Sequence, residues 1–355
     1  MRILSTAPGK LVLLGEYAVL HGHPALVMAV DRRAAVEVLN RDGGPSSVDA
    51  PEVEAIGMGF SLGADGTLDW ESNDRGAIRR LGLFSHVLRA LAKEIDYSRL
   101  GPFAVMLSTS DFFTGEQSVS KLGLGSSAAL TVALASALMR FAEQEQPLKK
   151  PEDIWLTRLL EIHASFQGGL GSGLDVAAAL RGGLLEYRKA PGSANPEANK
   201  LELPPGLEFL CVWSGRSAVT PKYLSRLAAW RRNNGSEFER HMSAMGRISR
   251  EGINAVRAGN GARFCEAVGA YGGALAGFGE ASGLDILSEE HLRIRSIADS
   301  LGVAYKPCGS GGGDVGAAFA TDPDKVRGLK TRLTEIGFGT VSLGLDPGGL
   351  RVRVL

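Results

Sequence analysis

The sequence predicts an α+β protein of two domains, and three observations carry that reading. The chain opens on a succession of strand-like segments that do not alternate with helices. A largely helical stretch from about Ser214 to Gly302 is followed by strand, helix and strand. At 355 residues the length fits about two domains. Ala190 to Pro205, rich in Pro, Ser, Asn and Ala, is the expected boundary. It divides the chain into residues 1–200 and 201–355.

Residues 3–7 read as a short strand ending at Ala7-Pro8-Gly9, and Lys10 to Leu20 as a strand pair bent near Gly15. His21-Gly-His-Pro24 has turn composition. Ala25–Val30 and Ala34–Leu39 follow as separate strands, then a loop over Arg41–Ser47 and weaker strand material from Val53 to Trp70. Ile78, Leu81, Phe84, Leu88 and Leu91 recur near helical spacing and predict one amphipathic helix over Arg75–Ile95. Phe103–Leu107 is a strand. Pro151 opens a helix through Trp155, Leu159, Leu160 and Ile162, and Leu184–Arg188 is again a strand. In the second half, Leu207–Trp213, a segment from Ala317, Thr340–Leu345 and Arg351–Leu355 read as strands, and Pro323–Ile336 as a helix.

Thirty-nine basic residues against thirty-nine acidic ones leave no net charge. A basic excess is the usual footprint of a nucleic-acid or membrane-surface partner, so neither is expected. No run of about 18 apolar residues is present to span a bilayer, and the start of the chain lacks a signal-peptide core. Cys211, Cys265 and Cys308 are odd in number and far apart, which suits a reducing cytoplasm. The 47 glycines are nearly double the roughly 7% norm. They mark tight turns and places where backbone approaches a ligand.

Three glycine-rich segments stand out. Lys121-Leu-Gly-Leu-Gly-Ser-Ser-Ala-Ala129 runs into an alanine- and leucine-rich helix. A helix start carries unpaired N–H groups and partial positive charge, so it suits an anion. Gly123 and Gly125 let a phosphate reach that backbone. Ser126 and Ser127 can cap the helix, or one hydroxyl can ligate a phosphate-borne Mg²⁺. The lysine precedes the glycines, so this is not a Walker A loop.

The second segment, Gln167-Gly-Gly-Leu-Gly-Ser-Gly-Leu-Asp175, ends where a helix resumes. Taken alone, Asp175 reads as an N-cap. The third, Gly309-Ser-Gly-Gly-Gly-Asp314, offers a glycine wall to an anion. Gly311, Gly313 and Gly316 also spell the dinucleotide fingerprint, but Val315–Ala320 reads as a strand where that motif needs a helix. Lys10, Lys121, Lys222, Lys306 and Arg216 flank these segments and would build a positive pocket if the segments converge. His21, His23 and His163 lack metal-ligand spacing and read as turn or surface residues.

Pro8-Gly9-Lys10 with Gly15-Glu16, Gly123-Leu-Gly-Ser-Ser-Ala128 and Gly309-Ser-Gly-Gly-Gly-Asp314 resemble, in order, the three motifs of the GHMP kinases. The resemblance covers nearly the whole chain. It implies the two-domain GHMP-kinase fold: an N-terminal mixed-sheet domain of the ribosomal-protein-S5 type that binds ATP, and a ferredoxin-like α+β C-terminal domain on the substrate side. Within the superfamily, Lys121, the Gln167–Asp175 segment with its following Val-Ala-Ala-Ala, Thr220-Pro-Lys222, Lys306-Pro-Cys308 and Glu16-Tyr17 look like the phosphomevalonate kinase branch. His21-Gly-His-Pro-Ala25 looks more like the mevalonate kinases.

The resemblance implies ATP and Mg²⁺ as cofactors and 5-phosphomevalonate as acceptor in a cytoplasmic monomer or homodimer. It assigns catalysis to Lys10 and Asp175, and ATP phosphates to Lys121, Gly123, Leu124, Gly125, Ser126, Ser127 and Ala128. Ser127 is the implied Mg²⁺ ligand, and Tyr17, Ser172, Ser310, Gly311 and Gly312 the implied acceptor wall. An alcohol-accepting mevalonate kinase, a non-catalytic binding protein of the same fold and the related decarboxylase stay open as alternatives.

Overall fold

β1 (Arg2–Leu14) and β2 (Ala25–Asn40) form a long antiparallel hairpin whose connection carries a 3-10 turn at Ala18–His21. Each strand is continuous where the sequence suggested two pieces. The register shifts between Pro8 and Gly9 absorb the proline as a bulge instead of ending β1. The computed structural model describes residues 1–114, 120–143, 152–169, 171–193, 195–217 and 220–355, and only the backbone of 220–225. Pro151, Leu170 and the side chain of Lys222 therefore lie outside the described residues.

β3 (Ser46–Ala50), β4 (Ala55–Leu62), β5 (Leu68–Trp70) and β6 (Phe103–Ser108) extend the first sheet in the order β1-β2-β6-β3-β4-β5, with β3 and β6 parallel. The helix expected over 75–95 is two: α1 (Arg75–Arg80), capped by Asp74, and α2 (Gly82–Leu91). The break at Leu81, itself buried, lets Ala77 and Phe84 both reach the core. α3 (Ser126–Ala142) is buried nearly all round, as befits a helix enclosed by other elements. It packs on β1 and β2 and against α2, α4 (Glu152–Phe166) and α5 (Leu174–Arg181). β7 (Leu184–Arg188) pairs with β2, and β8 (Glu197–Leu201) pairs with β7. The polar stretch 190–205 thus contains a strand of the first sheet.

β9 (Glu208–Trp213) begins a second, antiparallel sheet. α6 (Thr220–Asn233), α7 (Gly235–Arg257), α8 (Gly261–Ser282) and α9 (Glu289–Ser300) follow. β10 (Ala304–Pro307), β11 (Val315–Ala320), α10 (Pro323–Glu335) and β12 (Gly339–Val341) complete it in the order β10-β11-β9-β12. The third glycine segment leads into a strand, so its dinucleotide pattern lacks the helix it would need.

β13 (Arg351–Val354) then returns to the first sheet and pairs with residues 3–6 of β1. One continuous apolar core runs from Ile3 to Phe319 under both sheets. A smaller one lies beneath α9 and α10. Among the described residues, no helix is long and apolar enough to cross a membrane.

Candidate active site

Lys10 follows the bulge of β1, and its backbone N–H donates to Leu124 O at 2.8 Å. Gly9 makes this approach possible, because a Cβ there would press on Phe112 and the Leu124 carbonyl at 2.6 and 2.7 Å. The Lys10 ammonium lies 3.4 Å from Gly123 O. Gly123 and Gly125 both adopt left-handed backbone, with φ of 74° and 80°. A Cβ on Gly125 would sit 3.1 Å from Lys10 Cγ and 3.7 Å from Asp175 Cβ. One on Gly309 would sit 3.9 Å from Lys10 Nζ. Lys10 therefore touches the first and third glycine segments, and Gly125 lies between it and Asp175 of the second.

Gly125, with no side chain to offer, is the N-cap of α3, and neither serine caps the helix. Ala129 donates the first intrahelical bond, to Gly125 O at 3.1 Å. The amides of Ser126, Ser127 and Ala128 consequently lack acceptors within the helix. Ser127 Oγ is 3.2 Å from Nε2 of His163. His163 is 2% exposed, in contrast to the turn or surface position expected for it. Its spacing from Leu159 and Leu160 places it on the inner face of α4, a signal the sequence did contain.

Asp175 is the second residue of α5, whose N-cap is Gly173. Its Oδ1 accepts from Val176 N at 3.0 Å, so it does not cap the helix as an isolated reading suggested. The neighbouring Tyr187 phenol is pushed well up by burial and by the Asp175 charge, and it donates to Ser172 O at 2.6 Å. Ser172 is thereby fixed beside the aspartate.

Tyr17, at φ 61°, donates to the carbonyl of Ser310. Gly311 and Gly312 are buried against the 284–287 segment. Gly312 N donates to Ile286 O at 2.9 Å, and Gly312 O accepts from Arg216 Nε at 2.9 Å. These glycines shape the loop, and the Gly312 amide is already engaged. A Cβ on Gly123 would collide with the Asp314 carboxylate, so the first and third loops touch directly. His291, missed by the sequence reading, supports that loop from below. Gly313 O can only accept, so His291 Nε2 carries the proton toward it at 3.0 Å. Nδ1 then accepts from Tyr305 Oη at 2.7 Å.

Of the basic residues expected around these segments, Lys306 and Arg216 are engaged with acidic partners. Lys306 is fully buried and paired with Glu16, and Arg216 faces Asp285 and Glu290 at 3.1 and 3.7 Å. Lys121 is exposed at the rim of a cavity of about 210 Å³ beside the α3 N-terminus. That cavity is mostly apolar, with Leu81, Phe84, Leu107, Phe113 and Leu130 in its walls and Ser127 at its edge.

The sequence profile of the GHMP kinases N terminal domain matches residues 83–183, which hold the first two glycine segments. A phosphomevalonate kinase of Streptomyces sp. (strain CL190) is 30% identical over 348 residues, covering 89% of each chain. The chain belongs to the GHMP kinases. A mevalonate kinase of Thermococcus onnurineus (strain NA1) is 28% identical over 361 residues, covering 99% of each chain. The structure of Streptococcus pneumoniae phosphomevalonate kinase in complex with phosphomevalonate and AMPPNP superposes with a TM-score of 0.74 at 18% identity, covering 96% of this chain and 99% of that one. As a GHMP kinase the protein is an ATP-using phosphotransferase with that family's two-domain α+β fold.

Proposed function

We propose that this kinase transfers the γ-phosphoryl group of ATP to the phosphate of 5-phosphomevalonate, giving 5-diphosphomevalonate and ADP. The observation that carries the reading is the convergence at Gly125 and Gly309 on the Lys10 side chain, with Asp175 on the other side of Gly125. An acceptor phosphate oxygen attacks the γ-phosphorus, and the bond from that phosphorus to the β–γ bridging oxygen breaks. Such transfer asks for in-line placement and charge neutralisation more than for covalent help from the protein.

In this reading the amides of Ser126 to Ala128 take the ATP phosphates, and the apolar cavity beside them takes the nucleoside. Lys10 lies between the transferred group and the acceptor. Tyr17, Ser172 and Ser310 line the acceptor side. A phosphate monoester has its second pKa near 6, so at pH 7 the acceptor is already a dianion and needs no base. Asp175 then acts on position and charge. Magnesium usually takes few protein ligands and leaves the rest to phosphates and water. The Ser127 hydroxyl, 3.2 Å from His163 Nε2, is a hard oxygen donor that fits such a site. The ion would neutralise phosphate charge.

A second reading, phosphorylation of the mevalonate alcohol, is favoured by the full-length likeness to a mevalonate kinase and by His21-Gly-His-Pro24. A coupled ADP-release assay offering 5-phosphomevalonate and mevalonate in turn decides between them. Turnover with 5-phosphomevalonate is expected. Turnover with mevalonate alone overturns the first reading, and turnover with neither points to a non-catalytic protein of this fold.

A further inference from the structure

Lys306 and Glu16 form an ion pair inside the protein, their side chains 0% and 2% exposed. The ammonium also donates to Val12 O at 3.2 Å, lies 3.8 Å from Cys308 Sγ, and sits 5.9 Å from the centre of the Tyr271 ring. Glu16 Oε2 is buried without a hydrogen-bond partner. The Glu16 carbonyl accepts from Tyr271 Oη at 2.7 Å. Burial alone would push the lysine pKa down, but Cys308 and Glu16 outweigh it and the pKa is raised.

Replacing such a pair with apolar groups of similar size is often neutral for stability, so stability alone gives little reason for it here. What the pair does have is direction and position. Glu16 immediately precedes Tyr17 in the turn leaving the first sheet. Lys306 lies in β10 of the second sheet, three residues before Gly309 and four before Ser310. Tyr17 holds a positive φ of 61° with a negative ψ, a conformation that costs energy for a residue with a Cβ. It is fixed at one end by this pair and at the other by its bond to Ser310.

We propose that Glu16 and Lys306 are positioning residues that lock the Tyr17 turn to the 309–313 loop across the two sheets, and so set affinity for the acceptor and not for ATP. The proposal rests on the reading above that Tyr17 and Ser310 line the acceptor pocket. Among the described residues, the Lys306 ammonium bonds to Val12, Glu16 and Cys308 and to no atom of Gly123–Ser127.

The test compares Glu16→Gln, the double variant Glu16→Gln/Lys306→Met, and Tyr17→Phe, each as the full chain. Both pair variants are expected to raise the acceptor KM about tenfold, the effect of losing a hydrogen bond to a charged group, with the ATP KM within about twofold. Tyr17→Phe is expected to raise the acceptor KM similarly, and to add little in the double-variant background because the two changes break one linkage. Amide hydrogen exchange over residues 309–313 should quicken in the pair variants without any ligand. An unchanged acceptor KM in a folded pair variant, an equal rise in both KM values, or fully additive effects with Tyr17→Phe overturns the proposal. If the wild-type chain turns over no acceptor, it is the functional reading that has failed. The exchange measurement still decides the lock: unchanged rates over 309–313 overturn it.

Discussion

Ser127 Oγ and His163 Nε2 lie 3.2 Å apart, joining the first turn of α3 to the buried face of α4. The hydroxyl next to the unpaired amides of the α3 N-terminus is thus oriented by a side chain from another helix. Removing an orienting partner of this kind typically costs about 10–100-fold in activity or metal affinity. His163→Leu is expected to fall in that range and to need more Mg²⁺ for half-maximal rate. His163→Gln, which can still hydrogen-bond to Ser127, should recover part of the loss. Steady-state rates across a magnesium titration check both.

Lys10 and Asp175 face the same glycine-bounded space, yet their roles separate if the acceptor is a phosphate. Lys10→Met leaves two polyanions without the cation between them and is expected to cost far more in kcat than Asp175→Asn. If Asp175→Asn proves the more damaging, the acceptor is an alcohol that needs a base.

Gly125→Ala tests the loop geometry. At φ 80° an alanine costs about 1–2 kcal/mol, and its Cβ would press on Lys10 Cγ at 3.1 Å. Lower stability in urea and a raised ATP KM are expected together. Gly43→Ala, with nothing within 4 Å of the added atom, serves as the neutral control.

His291 sets an acid limit. Burial lowers its pKa, opposed by the bond to Gly313 and by Glu290 and Asp285, and aided by Arg216. The unfolded chain therefore binds a proton that the folded chain refuses, from about pH 6.5 downward to the lowered folded pKa. Stability contributed by neutral His291 is present above that window and is lost as pH falls through it, by at most about 1.4 kcal/mol per pH unit for one proton. Urea unfolding at pH 7.5 and 5.5 should show a smaller difference in His291→Gln than in the parent. His21 and His23, also lowered by burial, keep the slope from vanishing.

What could be read from the sequence was whatever the backbone decides locally. Glycines at 123 and 125 before an Ala- and Leu-rich run announce a bare helix start, and the structure has one. Lys10 after Pro8-Gly9 sits at a sheet bulge, where its ammonium reaches the loop. Long-range pairing was not readable. Nothing near Lys306 in the sequence says that it meets Glu16, so it reads there as one wall of a positive pocket. The Ser127 partner of His163 was hidden by the same limit, because it lies on another helix. Gly312 looked free to bind an anion because its acceptor, the Ile286 carbonyl, belongs to a distant turn. β8 was lost inside a polar stretch because its pairing with β7 outweighs weak local propensity.

The pairing of β13 with residues 3–6 gives the chain an unusual order of events during synthesis. β1, which carries Lys10, is made well before the strand that covers its outer edge, with every other strand of both sheets translated between them. Until then that edge presents unpaired amides and carbonyls to any passing strand. The first sheet is thus completed only after the second has been translated. Truncation at 350 would leave a nascent-like sheet open to intermolecular pairing.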